Sequence, residues 1–285
     1  MSTIVTAASG QLGRLVVEAL LARGAAPESV VATSRDVSKL ADLAERGVRT
    51  AELDYTRPDT TAAVIGAGDV AVLISSDAVG QRVPQHAAVI DAAKAAGAAR
   101  IVYTSVLAAS PSPLILAPEH KATEEHLAAS GVPVTLLRNG WYTENYVGEI
   151  ATARDSGVVA ASVGDGRLAS ASRRDYAEAA AVAALDDSTA GLTFELSGDH
   201  AWDFIEFAEA LSVVTGRPVR YESLTPERHA ERLRGFGLDE GTVGFVVALD
   251  GNIRDGLLAD TSGDLSGLIG RPTTPLVEAL TAASA

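Results

Sequence analysis

Along the first half of the chain, short apolar and β-branched runs alternate with longer stretches in which apolar positions recur every three or four residues. The runs predict strands over Thr3–Thr6, Val30–Ser34, Val48–Leu53, Val70–Ile74, Ile101–Thr104 and Val134–Leu137. The stretches between them predict helices over Gln11–Arg23, Val37–Glu45, Thr60–Ile65, Val83–Ala96 and Glu119–Ser130. Strands that are apolar on both faces and separated by helices indicate a parallel sheet covered on both sides. Gly24, Gly47, Gly97 and Gly131 stand where helices must stop, the usual left-handed cap position.

After Gly140 the rhythm changes. The turn Gly164-Asp165-Gly166, within Gly157–Gly166, signals a hairpin. A helix over Arg174–Leu185 and a strand over Thr193–Leu196 are expected to return to the main sheet, and Trp202–Val214 has the period of an amphipathic helix. The expected fold class is therefore α/β: a doubly wound parallel sheet with a smaller α+β C-terminal lobe. Residues 1–141, with a return segment at about 171–198, form the main domain; 142–170 and 199–285 form the substrate-side lobe.

Composition narrows the function classes. A chain of 285 residues can bury a sizeable core, and 47% hydrophobic with 21% charged residues is globular. The absence of cysteine removes disulfides, thiolate nucleophiles and Cys-ligated metal centres, and no other metal site is expected. A net charge of −14 argues against nucleic acid as a partner. With neither a signal peptide nor a long apolar run, a cytoplasmic location without membrane insertion is the expectation. Oligomeric state is left open, a homo-oligomer included.

The first predicted strand runs into the turn Val5-Thr6-Ala7-Ala8-Ser9-Gly10-Gln11-Leu12-Gly13. A glycine-bearing turn opening a helix places free backbone N–H groups and the positive helix end at one point, which is an anion site. Dinucleotide-binding (Rossmann) folds use glycines there for pyrophosphate approach and helix–strand packing. Gly10 and Gly13 hold the second and third positions of that spacing; Ala7 holds the first. The alternative is an ordinary connection with two incidental glycines. Its place in the first of several βα units favours cofactor binding, with Thr6, Ala7, Ser9, Gly10, Gln11, Leu12 and Gly13 as the contacts.

The second strand ends Ala32-Thr33-Ser34-Arg35. Arg35 offers a planar fork to a ribose 2′-phosphate, with Ser34 and Lys39 nearby, so NADPH is the expected cofactor. The competing reading puts Asp36 on a ribose 2′-OH. At the later strand ends, Ser75, Ser76, Thr104, Ser105, Asn139, Gly140 and Trp141 are candidates for the nicotinamide half. Gln81, Trp141, Tyr142 and Tyr146 are candidates for an acceptor wall, against plain packing for the aromatics.

An absence is informative as well. Counting back from Ser130-Gly131, the Tyr-x-x-x-Lys pair of ordinary short-chain dehydrogenases is replaced by Leu116 and His120. A simple ketone becomes a basic alkoxide on hydride attack and needs a positioned acid. A quinone becomes an aromatic hydroquinone anion and needs less help, so the missing pair points to conjugated acceptors. His120 and Tyr142 are the candidate catalytic groups, with a solvated helix histidine the alternative for the former.

Leu73-Ile74-Ser75-Ser76, Val79-Gly80-Gln81-Arg82-Val83-Pro84-Gln85-His86 and Leu136-Leu137-Arg138-Asn139-Gly140-Trp141-Tyr142-Thr143-Glu144-Asn145-Tyr146 resemble the NmrA-like branch of atypical short-chain dehydrogenases/reductases. Within it they most resemble the bacterial type 2 NAD(P)H:quinone oxidoreductases. The similarity continues through Ala171–Tyr176 and Leu268–Thr274 and so spans nearly the whole chain. Triphenylmethane dye reductases match less well at Gly80–His86 and Gly140–Tyr146. The resemblance implies NADPH in the cleft between a Rossmann domain and a small lobe, Arg35 at the 2′-phosphate, and flavin-free reduction of quinones. It departs at Ala7, where these relatives carry glycine. A second function class, an NADP(H)-binding redox sensor of the NmrA type without turnover, also suits the missing pair. A sugar-nucleotide epimerase is weakened by the same absence.

Overall fold

The computed structural model describes residues 1–110 and 112–284. Its strands are β1 (Thr3–Val5), β2 (Val30–Ser34), β3 (Arg49–Glu52), β4 (Val70–Leu73), β5 (Arg100–Val106), β6 (Val134–Asn139), β7 (Val158–Ala161), β8 (Thr193–Leu196) and β9 (Arg220–Ser223). The helices of the first half are α1 (Gln11–Ala22), α2 (Ala41–Glu45), α3 (Pro58–Val64), α4 (Arg82–Ala96) and α5 (Ala117–Ser130). Those that follow are α6 (Val147–Ser156), α7 (Arg173–Leu185), α8 (Phe204–Thr215), α9 (Pro226–Gly235), α10 (Glu240–Arg254), α11 (Asp264–Ile269) and α12 (Leu276–Ala283).

Seven strands pair in the order β3-β2-β1-β4-β5-β6-β8, all parallel, so the sheet is the doubly wound one the pattern predicts. Successive residues of β4 and β5 alternate between two cores, as the strand period requires. Val70, Val72 and Val102 pack with Val16 and Leu20 of α1 and the alanines of α7. Ala71, Leu73, Ile101 and Tyr103 pack with Val89 and Ile90 of α4 and Leu127 of α5. In α1 the buried Leu12, Val16 and Leu20 recur every four residues and form one stripe. In α7 Ala177, Ala179, Ala180, Ala181, Ala183 and Ala184 are buried, and their small size lets α7 lie closely against α1. Gly24, Gly47, Gly97 and Gly131 all have positive φ, as expected of caps.

A separate core, built on Trp202, Phe204, Phe207, Leu211, Leu249 and Ile253, lies among α6, α8, α10, β7 and β9. Here the expected hairpin gives way to another arrangement: β7 pairs in parallel with β9 in a two-stranded sheet. The Gly164-Asp165-Gly166 turn serves close packing instead. A Cβ on Gly166 would stand 2.5 Å from the Ile253 carbonyl oxygen of α10. Trp202 also falls outside its predicted helix. Asp203 caps Ile205 and Glu206 while the Glu206 side chain returns to the Asp203 N–H, a capping box that starts α8 at Phe204. The short α11 buries Leu265 and Ile269 in the core shared by α1 and α7, away from the second core.

Candidate functional site

The carboxyl ends of β1, β2, β3 and β4 open onto a cavity of about 580 Å³. Ala7, Ser9, Gly10, Gln11, Leu12 and Gly13 form one wall of it. Gly10 precedes α1 with no side-chain cap, and the first turn of the helix carries no acidic residue. The first N–H groups of α1 therefore lack intrahelical acceptors, and the helix's own first turn brings no negative charge to them. Gly13 is required by packing: a Cβ there would stand 2.4 Å from the Ala7 carbonyl oxygen. Ala7 itself adopts φ +49°, a conformation that glycine reaches without penalty and alanine does not. The Gly10 N–H closes the turn onto the Ala7 carbonyl at 2.9 Å, and the Ala8 N–H ties it to Thr33 at 2.7 Å.

At the β2 side, Ser34 and Arg35 line the cavity. Ser34 Oγ meets Ser9 Oγ at 2.8 Å and accepts from the Asp36 N–H at 3.1 Å. Asp36 is occupied elsewhere, because its Oδ1 accepts from the Ser38 N–H and hydroxyl and caps the turn Val37–Leu40. Those bonds hold its carboxyl below the usual range. Arg35 is exposed, and among the described residues no carboxylate lies within 4.0 Å of it. Tyr55, which sequence reasoning missed, also lines the cavity. Its hydroxyl donates between Thr6 Oγ1 at 2.6 Å and the Ile74 carbonyl at 2.7 Å. Thr6 is fully buried and bridges β1 to β4, with Oγ1 on the Val72 carbonyl and accepting from the Ile74 N–H.

Toward β4 the wall is Ile74, Ser75, Ser76, Arg82, Gln85 and Tyr142. The Ser75 N–H donates to Thr104 Oγ1 at 2.8 Å, so Thr104 lies one layer behind the wall. Ser105 is drawn away: its hydroxyl donates to Glu124 at 2.6 Å, and Glu124 holds Arg138 through two bonds at 3.0 and 2.7 Å. Gly140 leaves room for Leu107, Tyr176 and the Leu196 carbonyl, each 3.0–3.1 Å from a would-be Cβ. Asn139 is buried behind Tyr142, its Nδ2 3.3 Å from the Tyr142 hydroxyl and its Oδ1 without a partner among the described residues. Trp141 and Tyr146 pack against the second core, Tyr146 within 5.1–5.9 Å of the Trp202, Phe204 and Phe207 rings. Gln81 is exposed beside the cavity without lining it. Of the aromatic wall, the structure brings Tyr142 alone to the cavity. Its ring is held by Tyr176 edge-on at 5.2 Å and by the Arg173 guanidinium 5.1 Å above it. Burial raises its hydroxyl above the usual tyrosine range, so it stays protonated.

His120 is neither solvated nor on the cavity wall; it is 4% exposed. Its Nδ1 lies 2.8 Å from the Tyr103 hydroxyl, which in turn lies 3.4 Å from His86 Nδ1. His86 Nε2 accepts from the Ser76 N–H at 2.9 Å, so a neutral His86 carries its proton on Nδ1, facing Thr123 Oγ1 at 3.0 Å. That leaves the Tyr103 proton for His120. Burial first, and the nearby Arg82 charge second, lower His86 to about 4 and His120 to about 3. Both rings are neutral at physiological pH.

A glycine turn at the end of β1, an open helix terminus and a cationic fork at the end of β2 define a dinucleotide-binding protein of the Rossmann class. Residues 7–188 match the NAD(P)H-binding family, and the chain belongs to it. It is 42% identical over 276 residues to quinone oxidoreductase 2 of Escherichia coli (strain K12), covering 97% of this chain and 96% of that protein. The solved structure of the E. coli NADPH-dependent quinone oxidoreductase in complex with NADPH superposes with a TM-score of 0.93, covering 99% of each chain. Triphenylmethane reductase of Citrobacter sp. superposes at 0.94 with 32% identity, covering 100% of this chain and 99% of that one. Among the described residues, no helix is long and apolar enough to cross a membrane.

Proposed function

We propose that this chain is an NADPH-dependent reductase that passes hydride to a quinone or similarly conjugated acceptor without a flavin. One observation carries the reading: the uncapped amino end of α1, Arg35 and Tyr142 all line one cavity, in a chain 42% identical to a quinone oxidoreductase. The residues fit the cofactor. The N–H groups of Gln11, Leu12 and Gly13 would receive the pyrophosphate, and Arg35 the 2′-phosphate, with Asp36 already engaged as a cap. When bound, NADPH supplies the hydride. Ser75, Ser76 and Tyr142 would orient the nicotinamide half and shape the acceptor space. Exclusion of water and correct placement are the protein's contribution.

The main body at 1–141 with 171–198 would carry the cofactor, and the lobe at 142–170 and 199–285 the acceptor side, with the action in the cytoplasm. Buried neutral histidines suit an acceptor whose anion needs little acid assistance. The test is NADPH absorbance with purified protein and a panel of quinones. Quinone-dependent oxidation supports the reading; cofactor binding without it would leave an NADP(H)-binding regulator of the NmrA type.

A further inference from the structure

Arg82 begins α4 and lines the cavity, yet it is only 9% exposed. Its Nε donates to the Ser76 carbonyl at 2.6 Å, while its Nη1 is buried with no partner among the described residues. Among the described residues it forms no salt bridge, whereas the comparably buried Arg100 has the Asp187 carboxylate at 3.4 Å and the carbonyls of Asp186 and Ala184. A guanidinium taken out of water and left without an anion is costly unless a ligand completes it. Its position is fixed from both ends of the loop. The Glu119 carboxylate accepts the Gly80 N–H at 3.1 Å and the Arg82 N–H at 3.2 Å, pinning the start of α4 to α5.

The strand order places this cation. Arg35 follows β2, the glycine turn follows β1, and Ser76, which holds Arg82, follows β4 on the far side of β1. Arg82 therefore lies beyond the pyrophosphate turn from the 2′-phosphate end, on the side of Gln85 and Tyr142. We propose that Arg82 is an anionic-oxygen site in which its guanidinium receives the oxyanion formed on the acceptor as hydride arrives. The inference rests on the reductase reading above. In the step, the C–H bond of the reduced nicotinamide breaks and its electron pair moves with the hydrogen to the acceptor. The nicotinamide is oxidised, the acceptor becomes a hydroquinone monoanion, and water supplies the second proton after the anion has formed. A permanent cation suits this site because the neighbouring His86 and His120 are neutral and have no proton to release near pH 7.

The test uses the full chain saturated with NADP⁺ and a pair of unreactive probes, pentafluorophenolate and its neutral methyl ether, titrated calorimetrically. Wild type is expected to prefer the phenolate by about tenfold or more. Arg82→Gln should abolish that preference, and Arg82→Lys should restore part of it, since a point charge lacks the fork. NADPH affinity should stay within about threefold in both variants, while single-turnover hydride transfer in Arg82→Gln falls about 100-fold. Thermal melts confirm that each variant is folded. A phenolate preference that survives in Arg82→Gln overturns the proposal. So does a large loss of NADPH affinity with the preference intact, which would make a cofactor phosphate the anion. An Arg82-dependent preference in a protein that oxidises NADPH with no quinone supports the oxygen site and defeats the reductase reading alone.

Discussion

Replacing Ala7 with glycine probes the turn proposed to receive the cofactor pyrophosphate. Ala7 sits at φ +49°, where a Cβ costs about 1–2 kcal/mol. Against that gain, glycine adds about 0.4–1 kcal/mol of unfolded-chain entropy. The half-buried methyl also takes with it up to about 0.4 kcal/mol of packing, half the value of a fully buried methylene. The net expectation is a gain of about 0.5 kcal/mol in urea unfolding, close to 1 °C in Tm for a chain of 285 residues. Ala108 is the control, since it adopts φ +47° but is exposed and lies off the cofactor cavity. Ala108→Gly should gain slightly more stability and leave NADPH affinity alone. Ala7→Gly should tighten NADPH about two- to tenfold by removing a methyl from the cavity wall. Destabilisation by about 1 kcal/mol or more, or unchanged affinity, would refute the reasoning that this alanine strains and crowds the site.

Arg35→Ala should weaken NADPH about 10- to 100-fold and NADH by less than about threefold in fluorescence titrations; equal losses would return the ribose contact to Asp36. Asp36→Ala should lower stability slightly through the lost cap and leave the NADPH:NADH ratio unchanged. Gly13→Ala forces a Cβ to within 2.4 Å of the Ala7 carbonyl oxygen and should destabilise by about 1–3 kcal/mol while abolishing cofactor binding by calorimetry. The buried histidines predict a pH dependence. In the unfolded chain each protonates near pH 6.5, but in the fold His86 waits until about 4 and His120 until about 3. Stability is then full above pH 6.5 and falls with pH at about 1.4 kcal/mol per unit per histidine until those values. His120→Gln should flatten denaturation midpoints measured between pH 6.5 and 4; an unchanged slope would mean that His120 titrates normally.

The sheet was legible because its strands are buried on both faces and its helices end on glycine. In β4 and β5 every residue is buried, and the apolar ones divide between the cores on the two faces of the sheet. The hairpin expectation failed for an identifiable reason. A Gly-Asp-Gly turn marks backbone freedom, but it does not distinguish a reversal from the close approach of α10 that Gly166 allows. The wall of the candidate site was legible at the first turn, where the main chain forms it, and at Arg35, which lines it as an exposed charge. It was less legible at β5 and β6. Ser105 follows a strand as a ligand-facing residue would, yet Glu124 and Arg138 claim it, and such an ion-paired network has no local signature. Arg82 was legible only as part of the stretch Gly80–His86 that carries the resemblance; the fold shows it buried, with no salt bridge among the described residues.

The central claim is tested most directly by following NADPH absorbance at 340 nm, the cofactor's own wavelength, as purified protein meets a panel of benzoquinones and naphthoquinones with no flavin added. The account predicts quinone-dependent oxidation, with one acceptor reduced per NADPH consumed. Tight NADPH binding with no quinone-dependent oxidation across the panel would contradict it.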